Sequence, residues 1–439
     1  MHDDFSRTPV ASDHLRPWWY LLIIEMGVMI SIPTFVLGGQ LGLGMSFSDL
    51  IPATFCGALI LGVLGACTAH LGAVTRCSTA LISRLTFGAR GSAAIALLLA
   101  LGITGWWGVQ VEMFADAVVQ LARNGFSLSL PRELVILAGG MAMITTAALG
   151  IRAIGRLSYL AVPLLLCGLA YAFVPLITPG KLMSLWQFKP SPSEALSFGA
   201  SAATVAGGFI VGASLNPDYA RFARTNKHAI AYALTDYAFA YPLLLLVAAV
   251  IAVNFHSADI MIHLVPAGLT WLIFVMMMFA TWAANDCNLY SSSLSLAAVF
   301  PKWKRAHLAI FAGIFGISLA ELHVAGHMVS FLTLLGIVIA PISGIFVINN
   351  LGRKHAVTEE ELASIPDWHS PTLIAWSGGV LLGFLATPKE ALGLGLLKLT
   401  TIPTIDAILG AATIMLVLKL VRSKRQCKSA AKVEPAVSV

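Results

Sequence analysis

Charge is what this chain has least of. Of its 439 residues, 27 are basic and 21 acidic, 11% together, against about 25% in soluble domains. A soluble chain of this length would divide into domains, because one core stops growing near about 250–300 residues. So few charges cannot cover the surfaces of two or more domains, and a soluble enzyme is excluded. Cysteine is also scarce: the six residues at 56, 67, 77, 167, 287 and 427 show no C-x-x-C or other metal-ligand spacing. They give no sign of an oxidising compartment, and no metal site is expected. No secretory leader is expected either. The first 17 residues are polar and mixed in charge, with no short apolar run and small-residue cleavage site before the first long apolar run. The phosphate-binding G-x-x-x-x-G-K-[ST], the nucleophile elbow G-x-S-x-G, the zinc motif H-E-x-x-H and a dinucleotide G-x-G-x-x-G are all absent. ATP-driven pumping and enzyme chemistry are thereby set aside, no cofactor is expected, and an ion gradient becomes the natural power source.

What is present is apolar: 58% of the chain is hydrophobic. A bilayer core takes about 20 mainly apolar residues per helix. Runs of that kind fall at 18–38, 51–74, 93–121, 133–150, 156–178, 195–215, 229–254, 264–297, 307–322, 325–349, 371–387 and 399–421. They are too long, and alternate too little, to be barrel strands. The expectation is an all-α polytopic membrane protein with twelve transmembrane helices. The chain then divides into a cytoplasmic N-terminal segment (1–17), a transmembrane transporter domain (18–422) and a basic, disordered cytoplasmic tail (423–439). With both termini inside, 21 of the 27 basic residues fall on the cytoplasmic side, as the positive-inside rule requires. The net charge of +6 is thus a topology signal, not a sign of nucleic acid as a partner.

Two helices carry break signals at matching positions. The first has Gly27, Ser31, Pro33 and Thr34, then Gly38-Gly39. The sixth has Gly207-Gly208-Phe209 and Gly212, then Asn216-Pro217-Asp218. Glycines also pack ordinary membrane helices, but broken helices five apart are the mark of a five-plus-five inverted repeat with its site at the breaks. The third helix places Trp106 and Gln110 one turn apart on one face. An indole offers a stacking plane, and an amide offers a donor and an acceptor. The eighth helix concentrates Asn285, Asp286 and Asn288, an expensive set inside a membrane. Glu25, His70, Glu112, Asp116 and Asp236 are further isolated ionisable residues in apolar runs. The spacing predicts that Asn285 and Asn288 share a face and that Asp286 points elsewhere.

Four stretches together resemble the nucleobase–cation symporter-1 family, most closely its bacterial cytosine permease branch. They are Gly38-Gly39-Gln40-Leu41-Gly42, Phe87-Gly88-Ala89-Arg90-Gly91-Ser92, the 218–224 stretch DYARFAR, and Asn285-Asp286-Cys287-Asn288-Leu289-Tyr290. The resemblance implies a LeuT-like 5+5 inverted repeat plus two C-terminal helices, and alternating access. It also implies a site. Trp106 matches the stacking aromatic of helix three, and Phe209 the aromatic that closes the sandwich from helix six. Gly208 matches a backbone-contact position, Gln110 a polar residue one turn after the tryptophan, and Asn285 and Asn288 the amides that bond the base.

Two departures stand out. Ile103 replaces the glutamine usual in cytosine permeases three residues before the tryptophan, which weakens the case for cytosine itself. Ala283 and Ala284 replace the hydroxyl residues that sodium-coupled members use as cation ligands. Of H+ and Na+ as coupling cation, H+ is favoured, with Glu25, Glu112 and Asp286 as candidate carriers. The expected protein is a secondary importer of a nucleobase, in the cytoplasmic membrane, with a small planar heterocycle and the lipid bilayer as partners. A hydantoin, allantoin or vitamin-pyrimidine carrier is the alternative, with a channel or membrane sensor behind it.

Overall fold

The computed structural model describes residues 5, 8–150, 173–192, 195–257, 270–389, 393–397, 399–400 and 402–433, with scattered positions between 156 and 170. Among the described residues there is no strand, only an isolated bridge between Arg16 and Ala223. The first apolar run forms two helices, α1 (Trp18–Met29) and α2 (Ile32–Gly44), set at 65° to each other. Pro33 accounts for the break. It has no N–H to give the carbonyl of Met29, and its ring clashes with that carbonyl in a continuous helix. Ser31 is extended, with φ −135° and ψ 160°.

α3 (Phe47–Thr75), α4 (Thr79–Phe87), α5 (Gly91–Phe126) and α6 (Arg132–Leu149) follow. The run expected at 156–178 lies partly outside the described residues. α7 (Pro179–Gln187), α8 (Phe198–Leu215) and the short α9 (Pro217–Ala220) come next. α10 (Asn226–Leu234) and α11 (Tyr241–Phe255) are joined by a π-helical turn, Thr235–Ala240. The second half comprises α12 (Thr270–Val299), α13 (Arg305–Glu321), α14 (Met328–Val338), α15 (Ala340–Asn349), α16 (Glu359–Ala363), α17 (Ser370–Ala386) and α18 (Pro403–Val433). The described residues of the expected runs are mainly helical. Among the described residues, six helices are long and apolar enough to cross a membrane, or seven with the bent α1–α2 pair counted. Large apolar side chains such as Leu59, Val63, Leu134 and Ile374 project outward from these helices, as a lipid-facing surface requires.

Two expectations need correction. The sixth run is not broken at its glycines: α8 passes through Gly207, Gly208 and Gly212 and turns only at Asn216, where Pro217 opens α9. A glycine costs a helix only about 1 kcal/mol, which neighbouring helices readily offset. The last helix also continues through 423–433, a stretch the sequence reading assigned to a disordered tail. Residues 434–439 lie outside the described residues.

Close helix contacts fix the frame around the first break. Gly42 on α2 abuts α11 so closely that a Cβ there would stand 2.7 Å from the Ala249 Cα. Gly57 of α3 is pressed in the same way against Ala202 and Val205 of α8. Such small-residue contacts replace the hydrophobic driving force that a bilayer cannot supply. The N-terminal segment is pinned beneath the bundle: the Val10 N–H donates to the Arg76 carbonyl at 2.9 Å, and the Arg16 N–H to the Phe222 carbonyl at 2.6 Å. Arg221, wholly buried in the 218–224 stretch, donates to the Phe5 carbonyl at 2.5 Å and to the Tyr290 hydroxyl at 2.8 Å. The 87–92 stretch has a comparable structural task. Gly88 adopts φ +88°, and the following N–H groups of Ala89 and Arg90 bond the carbonyls of Pro366 and Asp367, both at 2.9 Å.

Candidate functional site

A cavity of about 400 Å³ lies where the α1–α2 break, α5, α8, α11 and α12 meet. Trp106 and Gln110 of α5 line it from one side, and Gly207, Gly208 and Phe209 of α8 from the other. Ser31 and Thr34 line it from the break, Tyr241 from the start of α11, and Asn288 from α12. The helical period explains the α5 contribution. Positions 103, 106 and 110 share one face, so Ile103, Trp106 and Gln110 all reach the cavity, whereas Trp107 points the other way and is fully buried. The α8 glycines serve the cavity without a break. A Cβ at Gly207 would enter open space, and one at Gly208 would meet the Tyr241 hydroxyl at 2.5 Å.

The polar edge of the cavity is an amide pair. The Asn288 side-chain amide donates to the Gln110 Oε1 at 2.8 Å. This bond leaves the Gln110 NH2 and the Asn288 carbonyl as one donor and one acceptor side by side. Flipping both amides together only reverses their order. Phe209 stacks edge-on against Tyr241, ring centroids 5.0 Å apart at 64°, and the Tyr241 hydroxyl has no hydrogen-bond partner within the protein. No described residue lining the cavity is charged. An apolar box with three aromatic side chains and a short donor–acceptor edge suits a neutral, flat, polar-edged solute.

The remaining candidates are placed elsewhere. Asn285 does not line the cavity: it is fully buried, and its amide donates to the Met143 sulfur of α6 at 3.3 Å. Three residues along a helix still differ by about 60° in direction, enough to turn it from the α5 side to the α6 side. Asp286 also faces α6, where it accepts from the Thr146 hydroxyl at 2.7 Å; that hydroxyl in turn accepts from the Trp282 indole at 2.8 Å. Glu112 is bound to Arg132 at 2.9 Å, accepts the Ala325 N–H at 2.6 Å and lies 3.5 Å from His323. Glu25 is buried near the break, on α1. Ala283 and Ala284 are fully buried and offer no side-chain oxygen. Tyr241 is the residue that the sequence reading missed. It sits where a π-helical turn rejoins an α-helix, and such turns are invisible to hydrophobic periodicity. Thr387 and Thr404, at the facing ends of α17 and α18, also reach the cavity and carry no local signal.

Comparison with known proteins places this geometry. A family model described as permease for cytosine/purines, uracil, thiamine, allantoin matches residues 11–385. A cytosine permease of Escherichia coli (strain K12) is 28% identical over 433 residues, which covers 98% of each chain. Among solved structures, a nucleobase-cation-symport-1 family transporter in a closed conformation with bromovinylhydantoin bound superimposes with a TM-score of 0.79. It shares 19% identity and covers 96% of both chains. A Na+-coupled sialic acid symporter in a substrate-bound outward-open state gives a TM-score of 0.65 at 14% identity, covering 94% of this chain and 92% of the other. The common fold is that of LeuT-like secondary transporters.

Proposed function

The chain belongs to the family of permeases for cytosine and purines, uracil, thiamine and allantoin, and on that footing we propose that it imports a neutral nucleobase or closely related heterocycle by cation symport with alternating access. The observation that carries the proposal is the uncharged cavity between Trp106 and Phe209 with the Gln110–Asn288 edge. A ring stacked on an aromatic platform gains about 1–3 kcal/mol. The donor–acceptor edge complements the N–H/C=O edge of a lactam or the amino/ring-nitrogen edge of cytosine. Ile103 presents only an alkyl group beside it. The permease relatives support reading the protein as a carrier. The excess of basic residues on one side supports a location in the cytoplasmic membrane with both termini inside.

Coupling to H+ rather than Na+ is supported by the chemistry of α12. Sodium takes oxygen ligands, and the buried methyl groups of Ala283 and Ala284 supply none.

Binding of purified protein to cytosine, uracil, hypoxanthine, allantoin, hydantoin and thiamine tests the substrate reading. The neutral heterocycles are expected to compete for one site. Thiamine carries a fixed positive charge and is expected to bind at least tenfold more weakly than the best of them. Preferential binding of thiamine would overturn the reading of a neutral site.

A further inference from the structure

Four acidic side chains in the membrane region have a protein partner on at least one carboxyl oxygen, although the second oxygens of Asp218 and Asp286 accept no hydrogen bond from the protein. Glu112 has Arg132 and the Ala325 N–H. Asp116 has Arg132 at 2.5 Å. Asp286 has the Thr146 hydroxyl. Asp218 accepts the Thr79 N–H at 2.8 Å, in the first turn of α4, and lies in the field of Arg221. Two others differ. Glu25 on α1 is 4% exposed, and its Oε1 accepts no hydrogen bond from the protein. Asp236 is wholly buried in the π-helical turn, and neither of its carboxyl oxygens has a protein partner. α1 packs directly against the π-helical turn, which brings the two carboxyl-bearing elements together.

We propose that Glu25 and Asp236 form the site that binds and releases the coupling proton. This rests on the transport reading above and assigns its cation site. Among the described residues, neither carboxyl forms an ion pair. Asp218 and Tyr219 of α9, Tyr232 of α10, Tyr237 of the π turn and Cys287 of α12 all interact electrostatically with Glu25. From α3 the turn meets Gly62, packed on Ala238, and Gly65, packed on the Tyr237 ring. The buried Arg221 guanidinium serves Asp218, the Phe5 carbonyl and Tyr290. Two carboxylates so enclosed repel one another, and a proton taken up at the pair relieves that repulsion.

The location gives that proton leverage. Glu25 stands five residues before the Ile30–Ser31 break, on the inner half of a bent helix. Asp236 stands on a separate rod, at a turn type often found at functional positions. Rocking of α1 against that rod changes the separation of the two carboxyls, and hence their joint affinity for a proton. The step is a simple association: a carboxylate oxygen takes H+ from one compartment, and the O–H bond releases it to the other. Solute in the Trp106 cavity contacts the same break through Ser31 and Thr34, so each ligand biases the state the other prefers.

The test compares wild type, Glu25→Gln and Asp236→Asn in proteoliposomes, with labelled cytosine and labelled uracil as probes. Both variants are expected to bind and exchange the probe within about threefold of wild type. Both are expected to lose at least tenfold of the accumulation driven by an inward proton gradient at fixed sodium. Unchanged proton-driven accumulation in both variants overturns the proposal. So does wild-type accumulation that follows a sodium gradient and ignores the proton gradient. Difference infrared spectra separate this from a failure of the transport reading. Even with neither probe bound, wild type should show a protonated-carboxyl band that shifts or vanishes in both variants, and a spectrum lacking it overturns the pair.

Discussion

Replacing Trp106 by alanine should weaken binding of the best heterocycle by about 5- to 150-fold, the equivalent of the about 1–3 kcal/mol that one stacked ring contributes. The melting temperature of the unliganded protein should change little, because Trp106 is half-buried and faces the cavity. The adjacent Trp107 provides the contrast. It is fully buried, and its ring lies against the Cα of Gly316 on α13 and near Gly140 on α6. Trp107→Ala removes a core side chain, which costs about 3–5 kcal/mol, and is expected to lower the melting temperature sharply. Titration calorimetry and thermal melting in detergent read the two effects separately. If Trp106→Ala binds cytosine, uracil and hydantoin as wild type does, stacking on this residue is refuted.

Arg132→Leu is the second large effect. Glu112 is 5% exposed at its side chain and Arg132 21%, so the substitution strands a carboxylate inside the bundle. Breaking a buried pair from one side costs about 3–5 kcal/mol, because the remaining charge is uncompensated. The double variant Arg132→Leu with Glu112→Gln should recover most of that loss, since it removes the stranded charge. The same double variant is expected to leave proton-driven uptake intact, because Glu112 anchors the 323–325 turn. Failure of the double variant to melt above the single one would mean that the pair is not what holds these elements. Loss of proton drive in a stable double variant would return Glu112 to the coupling machinery.

Much of this was legible in the chain. The break in the first helix follows from Pro33, whose effect is local and covalent. The cavity face of α5 follows from the spacing of Ile103, Trp106 and Gln110, because helical geometry alone decides which side chains share a side. The same reasoning went wrong for the sixth helix, since glycine permits a break without requiring one. For α12 it placed Asn285 with Asn288, where a rotation of about 60° and the neighbouring Met143 separate them. Sequence flagged Glu25 and Asp236 as buried acids but gave no means of pairing residues more than two hundred positions apart.

The sequence by itself determined that the chain is helical, membrane-embedded and without the motifs of an ATPase. Low charge, long apolar runs and absent motifs are properties of composition and local order. It also placed Trp106 on one face with Gln110, because a helix repeats its directions every few residues. Only the tertiary structure decided which acids have partners, which asparagine meets Gln110, and that Tyr241 closes the cavity beside Phe209. Those outcomes depend on how separate helices rotate and cross, and that is set by packing between distant segments such as Gly42 against Ala249. Local pattern fixes the face of a helix; only packing fixes what that face meets.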